Sequence, residues 1–256
     1  MSKQDSPYSF ILDGMNWSFS SVNTYETCPY CFKLSYIDRK PQEQNAFSEW
    51  GTFCHSILER YFKGELELFD LVDTYKNEYG KNVKHDFPPN KFVNLSESYY
   101  KAGLDYFSNF DGVEDGMEVV GVEQKIRTKI KNYSFVGVID LILRNTSGNL
   151  IIQDHKSKKA FKNKSDTLRF LRQPYLYSLW IKEHFYSHPE ELRFNMIRGN
   201  EVLKFPFDEE LSKQAEDWFV NTIDKIYEDT TFQMNYDQFF CHNLCSVRNH
   251  CIGGDV

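Results

Sequence analysis

The spacing of hydrophobic residues changes along the chain from helical to strand-like and then back to helical. Apolar side chains recur every three or four positions in residues 18–32, 48–62 and 91–110, which predicts helices that each bury one face. Pro29 is expected to divide the first of these helices. Residues 119–152 contain alternating or β-branched apolar positions, which predict strands. A helix capped by Ser165, a hairpin over residues 192–207 and a helix over residues 209–227 follow.

These elements predict one α/β domain that covers residues 1–256. Residues 1–110 form its mostly helical N-terminal part, and residues 117–207 form a core that contains the strands. Residues 208–256 hold a helix and a segment rich in cysteine.

The central hairpin carries an acid in each of its predicted strands. Asp140 interrupts an apolar run, where an ionised carboxylate is costly unless a cation compensates for its lost hydration. Asp154 and Lys156 are two positions apart on a strand, so they point to the same face. Two neighbouring carboxylates do not both ionise readily without a metal ion or a lysine between them. The pattern therefore predicts a site for a divalent cation.

Other polar residues have a spacing that is consistent with this site. His55 lies off the apolar stripe of its helix and Gly51 lies one turn before it, which favours an accessible imidazole, although a lone helical histidine is more often structural. Gln173 and Tyr177 are four positions apart and can act as a pair. Glu123 is either a further acid near the site or an ordinary exposed glutamate.

Composition indicates a soluble globular protein, with 41% hydrophobic and 26% charged residues. We find no run of eighteen apolar residues and no secretory leader, so we expect no membrane insertion and a cytoplasmic location. In that compartment the six cysteines are expected to be thiols or metal ligands rather than disulfides.

The net charge of −7 argues against nucleic acid as a partner, but binding depends on where charge is concentrated. Two local clusters are basic, and a solvated charged face is the alternative interpretation of each. The first cluster comprises Lys125, Arg127, Lys129 and Lys131, which alternate with less polar residues, and the second comprises seven cations between Lys156 and Arg172 against the single acid Asp166.

Three cysteines lie within eleven residues near the end of the chain, at Cys241, Cys245 and Cys251. So close a spacing has little packing rationale and indicates a metal site. The candidates for a fourth ligand are Cys28, Cys31, His242 and His250. An iron–sulfur cluster and tetrahedral zinc both suit four thiolates, and the spacing does not separate them.

Several motifs together resemble the RecB-type branch of the PD-(D/E)XK nucleases. They are Gly51-x-x-x-His55, Gly137-Val-Ile-Asp140, Asp154-His-Lys156 and Gln173-x-x-x-Tyr177. The stretch from Ser21 to Pro29, with the cysteine triplet, is similar to the iron–sulfur members, which include CRISPR-associated exonucleases and the AddB nuclease domain. Ile139 departs from the proline in the family name, and the gap between Cys241 and Cys245 is one residue longer than usual.

The resemblance implies a restriction-endonuclease-like fold, a mixed sheet flanked by helices, with its N- and C-terminal helical region stapled by a metal cluster. It implies that Mg²⁺ or Mn²⁺ is bound by His55, Asp140, Asp154 and the carbonyl of His155. Catalysis would involve Asp140, Asp154 and Lys156, oriented by Gln173 and Tyr177. A 4Fe–4S cluster, or zinc as the alternative, would be bound by Cys28, Cys241, Cys245 and Cys251.

The expected activity is that of a metal-dependent deoxyribonuclease at DNA ends, a single-strand exonuclease in recombination, repair or CRISPR-type adaptation. A helicase or an integrase is the expected type of protein partner. Two alternatives remain open, a non-catalytic DNA-binding or scaffolding module and a zinc-stabilised interaction domain.

Overall fold

The computed structural model describes residues 6–252, and its strands form a five-stranded mixed sheet. The strands are adjacent in the order β1-β2-β3-β4-β5. Pairing is antiparallel between β2 and β3, parallel between β3 and β4, and antiparallel between β4 and β5. Their bounds are Glu118–Ile130 (β1), Tyr133–Arg144 (β2), Leu150–Lys156 (β3), Glu191–Met196 (β4) and Glu201–Pro206 (β5). The mixed sheet with flanking helices agrees with the predicted architecture.

The α-helices precede, interrupt and follow the strands. Their bounds are Ser9–Asp13 (α1), Phe19–Thr27 (α2), Pro29–Phe32 (α3), Ala46–Phe62 (α4), Leu71–Asn82 (α5), Leu95–Ser108 (α6), Lys164–Phe185 (α7) and Glu209–Glu228 (α8). Shorter turns of π- or 3₁₀-helix cover Lys33–Ile37, Leu68–Asp70, Phe240–Leu244 and Arg248–His250. Within residues 6–252, no helix is both long enough and apolar enough to span a membrane.

The β2–β3 hairpin has the predicted five-residue loop, residues 145–149. The Asn145 side chain accepts hydrogen bonds from the backbone N–H groups of Ser147 and Asn149, at 3.0 and 2.9 Å. Gly148 adopts a φ of +85°, which glycine tolerates at little steric cost. The loop therefore sets the strand register, in which Leu141 pairs with Gln153.

Helix α7 connects β3 to its parallel neighbour β4. Its N-cap is Asn163, whose side chain accepts a hydrogen bond from the Asp166 N–H at 2.9 Å. The predicted cap at Ser165 is wrong by two positions, because asparagine caps a helix as well as serine does and the polar stretch offers both.

The described chain divides into two compact units. The first, which we call the sheet unit, comprises residues 45–126 and 138–209. Its core includes α4, α5 and α6, and Tyr75 of α5 accepts a hydrogen bond from the Trp50 indole at 3.0 Å. A Cβ on Gly103 would lie 2.3 Å from the Tyr75 hydroxyl, so α5 and α6 can approach this closely only with glycine there.

The second unit, which we call the cysteine unit, comprises residues 6–44, 127–137 and 210–252. Trp17 forms a bridge to Phe135, and Phe135 packs edge-on against Phe219. Helix α2 begins at a capping box formed by Ser18 and Ser21. Helices α2 and α3 are separated at Cys28, as expected from Pro29. The single domain of residues 1–256 stays a prediction, and residues 1–5 and 253–256 lie outside the described chain.

Candidate active site

The two hairpin acids lie just past the last residue pair of the β2–β3 ladder. Asp140 precedes Leu141 and Asp154 follows Gln153, the two residues of that pair. One oxygen of Asp140 accepts a hydrogen bond from the His155 backbone N–H at 2.7 Å. The acids therefore sit where the ladder ends and carboxylate oxygens can replace a strand partner.

Three side chains from different elements converge beside Asp140. Ligand atoms of His55, Glu123 and Asp140 all lie within 4.8 Å of one another, and all three residues are partly buried. Nδ1 of His55 lies 3.8 Å from Oδ2 of Asp140. Helix α4, strand β1 and strand β2 thus each contribute one potential metal ligand. Of the sequence-predicted residues, His55 and Asp140 are brought together, and Glu123 proves to be the acid near the site rather than an ordinary exposed one.

Glu123 occupies an unusual backbone conformation as well as an unusual electrostatic environment. Its φ of +48° is rare for a residue with a side chain, and such strain often marks functional sites. Burial, followed by the nearby charges of Asp140 and Glu59, raises the pKa of Glu123 to about 7. A positively charged ligand would relieve this repulsion.

Asp154 lies on the other acid-bearing strand and is buried, with 3% of its surface exposed. Nζ of Lys156 lies 2.6 Å from its Oδ2, but this oxygen has no well-directed hydrogen bond within the described chain. Burial raises the pKa of Asp154, Lys156 opposes that effect, and the charge of Asp140 adds to it. This oxygen therefore interacts with Lys156 chiefly as a close ion pair.

Lys156 is held by a short chain of side chains. Its ammonium group donates to the Gln173 side-chain oxygen at 2.8 Å, and the Gln173 amide nitrogen donates to the Tyr177 hydroxyl at 2.9 Å. Tyr177 is hydrogen-bonded to the backbone at Val138 of β2. Burial and the charge of Asp154 raise the pKa of Tyr177, which keeps its hydroxyl neutral. Residues Asp154, Lys156, Gln173 and Tyr177, which the sequence predicts to act together, thus form one connected set.

The His155 side chain points into the helical layer. Its Nδ1 lies 2.9 Å from the Asn195 amide nitrogen, and its ring stacks on Phe62 at 5.9 Å between centroids. The ring also meets His55 edge-on at 5.5 Å. Burial lowers the pKa of His155 to about 3, so the ring is neutral. Sequence reasoning missed Asn195, because polar and apolar residues alternate along β4 and Asn195 does not stand out from its polar positions.

Gly51 allows α4 to approach the end of β3 closely. A Cβ at this position would lie 3.3 Å from the Cβ of Ser157, which is tighter than an ordinary contact. The glycine therefore serves helix–strand packing one turn before His55, in addition to the predicted exposure of the imidazole.

The residues present suit a hard divalent cation. Two carboxylates and an imidazole converge, and the second hairpin acid, Asp154, lies on the neighbouring strand in an ion pair with Lys156. Oxygen-rich ligand sets favour Mg²⁺ and Mn²⁺. Burial is the largest cause of the raised pKa values of Glu123 and Asp154, and the charge of Asp140 adds to both.

Exposed cations and buried apolar residues alternate along the basic part of strand β1, as predicted. Lys125, Arg127 and Lys129 are exposed, whereas Ile126 and Ile130 are buried. In the cysteine unit, Nζ of Lys131 lies 2.7 Å from an oxygen of Asp217.

The segment that follows β3 combines cations with aromatic rings. Nζ of Lys158 lies 4.1 Å from the centroid of the Phe170 ring, and Phe161 stacks on Phe170 at 5.2 Å. Burial lowers the pKa of Lys158 despite the attraction of Asp166. Lys159, Lys162 and Lys164 are exposed.

Several cysteines cluster in the cysteine unit. Cys28, Cys31 and Cys245 are buried together, and Cys251 packs against them. The sulfur atoms of Cys31 and Cys245 are 3.7 Å apart. The Cys31 thiol donates to Cys245 and lowers the pKa of Cys245 to about 6. Cys241 is buried in the Phe240–Leu244 turn.

The chain was compared with protein families, curated proteins and solved structures. The PD-(D/E)XK nuclease superfamily matches residues 16–252. No curated protein gives a significant match. A crystal structure of a proposed exonuclease from Eubacterium rectale has a TM-score of 0.52 and 10% identity, covering 98% of this chain and 92% of that one. The structure of SSO0001 has a TM-score of 0.35 and 16% identity, covering 79% of this chain and 97% of that one.

Proposed function

The chain belongs to the PD-(D/E)XK nuclease superfamily, and from this premise we propose that it is a Mg²⁺- or Mn²⁺-dependent deoxyribonuclease of the RecB type. Its preferred substrate would be the end of single-stranded DNA. The observation that supports this proposal most directly is the convergence of His55, Glu123 and Asp140 in the unit where Lys156 is fixed beside Asp154. A restriction-endonuclease-like α/β fold carries these groups.

The proposed metal ligands are His55, Asp140, Asp154 and the His155 carbonyl, as the family resemblance implies. We add Glu123 to the proposed ligands, because its carboxylate lies close to His55 and Asp140. When bound, a divalent ion lowers the pKa of a water molecule and stabilises the charge that develops on a phosphodiester.

Lys156 is proposed to position the attacking water and to neutralise charge on the phosphate. Its contact with Asp154 keeps the ammonium group at the site, and Gln173 fixes its direction. Tyr177 in turn holds Gln173. A donor that is already oriented needs no reorganisation during the reaction, which is why such groups contribute strongly to catalysis.

DNA binding is proposed to involve the exposed cations of β1 and of the segment after β3. Such cations bind phosphates without regard to sequence. Phe161 and Phe170 lie among the second set of cations, and aromatic rings of this kind stack on unpaired bases. A single-strand preference would follow. The exonuclease name of the Eubacterium rectale structure is consistent with action at ends.

The cysteine cluster is proposed to hold a structural 4Fe–4S cluster on Cys28, Cys241, Cys245 and Cys251. Zinc is the alternative. We further propose a cytoplasmic role in recombination, repair or CRISPR-type adaptation, with a helicase or an integrase as partner.

The proposal is tested with end-labelled linear single strands, linear duplexes and circular single strands. Each substrate is incubated with Mg²⁺, Mn²⁺ or EDTA. We expect divalent-dependent degradation of linear single strands, slower degradation of duplexes and none of circles. Asp140→Asn should abolish degradation. DNA binding without degradation under any of these conditions would instead indicate a non-catalytic binding module.

A further inference from the structure

A cavity of about 240 Å³ lies in the sheet unit, next to the β2–β3 hairpin. Its apolar wall includes Phe62, Phe110 and Leu141. Its polar wall includes Gln153 and Asn195. Gln153 immediately precedes Asp154 on β3, and neighbouring strand residues point to opposite faces, so the cavity is not the site of the proposed cleavage.

The side chain of Gln153 is the group in this lining that bears most directly on what the cavity could bind. Only 6% of its surface is exposed, and the residue lines the cavity. A side-chain amide in this position is expected to find hydrogen-bonding partners, either in the protein or in a molecule that enters the cavity. Because the amide borders the cavity, it offers one donor group and one acceptor group to a bound molecule.

The charges around the cavity select against an anion. Three acids, Asp111, Glu114 and Glu201, line it together with one cation, Arg193. The Arg193 guanidinium is already paired with Glu191 and, at 2.8 Å, with Glu114. The net negative charge of the lining would therefore repel a phosphate, whereas it would not repel an uncharged molecule.

The remaining lining suits a flat ring. The aromatic side chains of Phe62, Tyr106 and Phe110 form one part of the wall, and aromatic rings stack on nucleobases of every type. Every nucleobase also has an edge with hydrogen-bonding groups that a side-chain amide can bind. We propose that this cavity binds an uncharged nucleobase or nucleoside, with Gln153 as the residue that recognises its edge.

Isothermal titration of the full chain with adenosine, guanosine, cytidine and uridine tests this proposal. The corresponding 5′-monophosphates form a second arm. EDTA is present throughout, so no metal-dependent cleavage contributes. We expect at least one nucleoside to bind with a Kd of about 1 mM or tighter, and its monophosphate to bind roughly tenfold more weakly.

Gln153→Leu removes the amide at similar size and should weaken binding about tenfold or more. Val202→Trp, placed in the cavity wall, should block binding independently of that amide. Gln214→Leu, on α8, is the matched control and should bind as the wild-type chain does. Circular dichroism verifies that each variant is folded.

Two results would overturn the proposal. One is the absence of heat and of saturation-transfer NMR signal for all four nucleosides at about 5 mM. The other is nucleoside binding that both cavity variants leave unchanged. Repeating the titration with Lys156→Gln separates this proposal from the nuclease assignment, because loss of cleavage should leave nucleoside binding intact.

Discussion

The carboxylate–lysine site and the cysteine cluster are organised by different interactions. In the carboxylate–lysine site, polar groups are positioned by hydrogen bonds and ion pairs with one another. Asp140 accepts a hydrogen bond from the His155 backbone, and Lys156 contacts both Asp154 and Gln173. In the second, the thiols of Cys28, Cys31 and Cys245 pack among apolar neighbours such as Leu34 and Val247.

This difference reflects where the residues come from. The acids and Lys156 lie on paired strands, whose register fixes their positions before any ion binds. Three of the cysteines lie in short turns near the end of the chain, in and around Phe240–Leu244 and Arg248–His250. Short turns have few backbone restraints. A metal bound by four thiolates would supply the restraint that strand pairing supplies in the other site.

The largest expected effect is the loss of a cysteine that is proposed to bind the metal. Cys28→Ser should remove the bound metal and destabilise the chain by about 4 kcal/mol, by analogy with a disulfide that closes a long loop. Metal content by mass spectrometry, absorbance near 400 nm and urea unfolding measure the two effects.

Cys31→Ser is the matched control for that substitution, because both thiols are buried in the same cluster. The resemblance assigns Cys28 rather than Cys31 as a ligand, so Cys31→Ser should retain the metal. Metal retained in Cys28→Ser and lost in Cys31→Ser would show that the assigned ligand set is wrong. The 3.7 Å distance from Cys31 to Cys245 makes this comparison informative.

Lys156→Gln tests the carboxylate–lysine site by removing one charge while keeping an amide donor beside Asp154. We expect cleavage of single-stranded DNA to slow by roughly 10²- to 10³-fold, the usual loss for a preoriented electrostatic group. Initial rates with end-labelled DNA measure the loss.

Lys159→Gln is the matched control, since Lys159 is exposed in the same segment. It should change the rate by no more than a few-fold, through weaker phosphate binding. Equal losses in the two variants would mean that Lys156 acts only through general attraction to DNA.

The sheet and much of the candidate site were predictable because strand periodicity is a local property. The five-residue hairpin loop and the shared face of Asp154 and Lys156 follow from alternation alone. The family match over residues 16–252 confirms the nuclease assignment that the motifs predicted. The local sequence pattern was therefore sufficient to predict those site residues that lie on paired strands.

Long-range packing was less predictable. Helix α5 was not predicted from the sequence. Its residues are mostly polar, and it buries few side chains, among them Leu71 and Tyr75, so it lacks a clear apolar stripe. The helix predicted for residues 91–110 begins only at Leu95, and Phe92 before it is 93% exposed. His155 and Asn195 are paired across the neighbouring strands β3 and β4 but lie 40 residues apart in the sequence, so no local pattern reports their contact.

Glu123→Gln is expected to give the smallest change in stability. It distinguishes a site in which neighbouring acids repel one another until a cation binds from a site in which the acids do not interact. Burial and neighbouring acids raise the pKa of Glu123 in the folded chain to about 7 from an ordinary 4.5. The folded chain thus holds the proton more tightly than the unfolded chain does, so ionisation costs stability as pH rises from about 4.5 to about 7. The upper limit of this cost is roughly 3 kcal/mol. Solvent screening of the half-buried side chain reduces it to about 1 kcal/mol.

In EDTA at pH 8, Glu123→Gln should therefore be more stable than the wild-type chain by about 1 kcal/mol, and the difference should vanish near pH 4.5. In saturating Mg²⁺ the order should reverse, because a carboxylate binds the ion and an amide binds it less well. Urea unfolding at both pH values, with EDTA and with Mg²⁺, measures all four cases. A wild-type chain that stays more stable in EDTA at pH 8 would show that Glu123 is not repelled by Asp140, and the case for a shared cation at these two acids would fail.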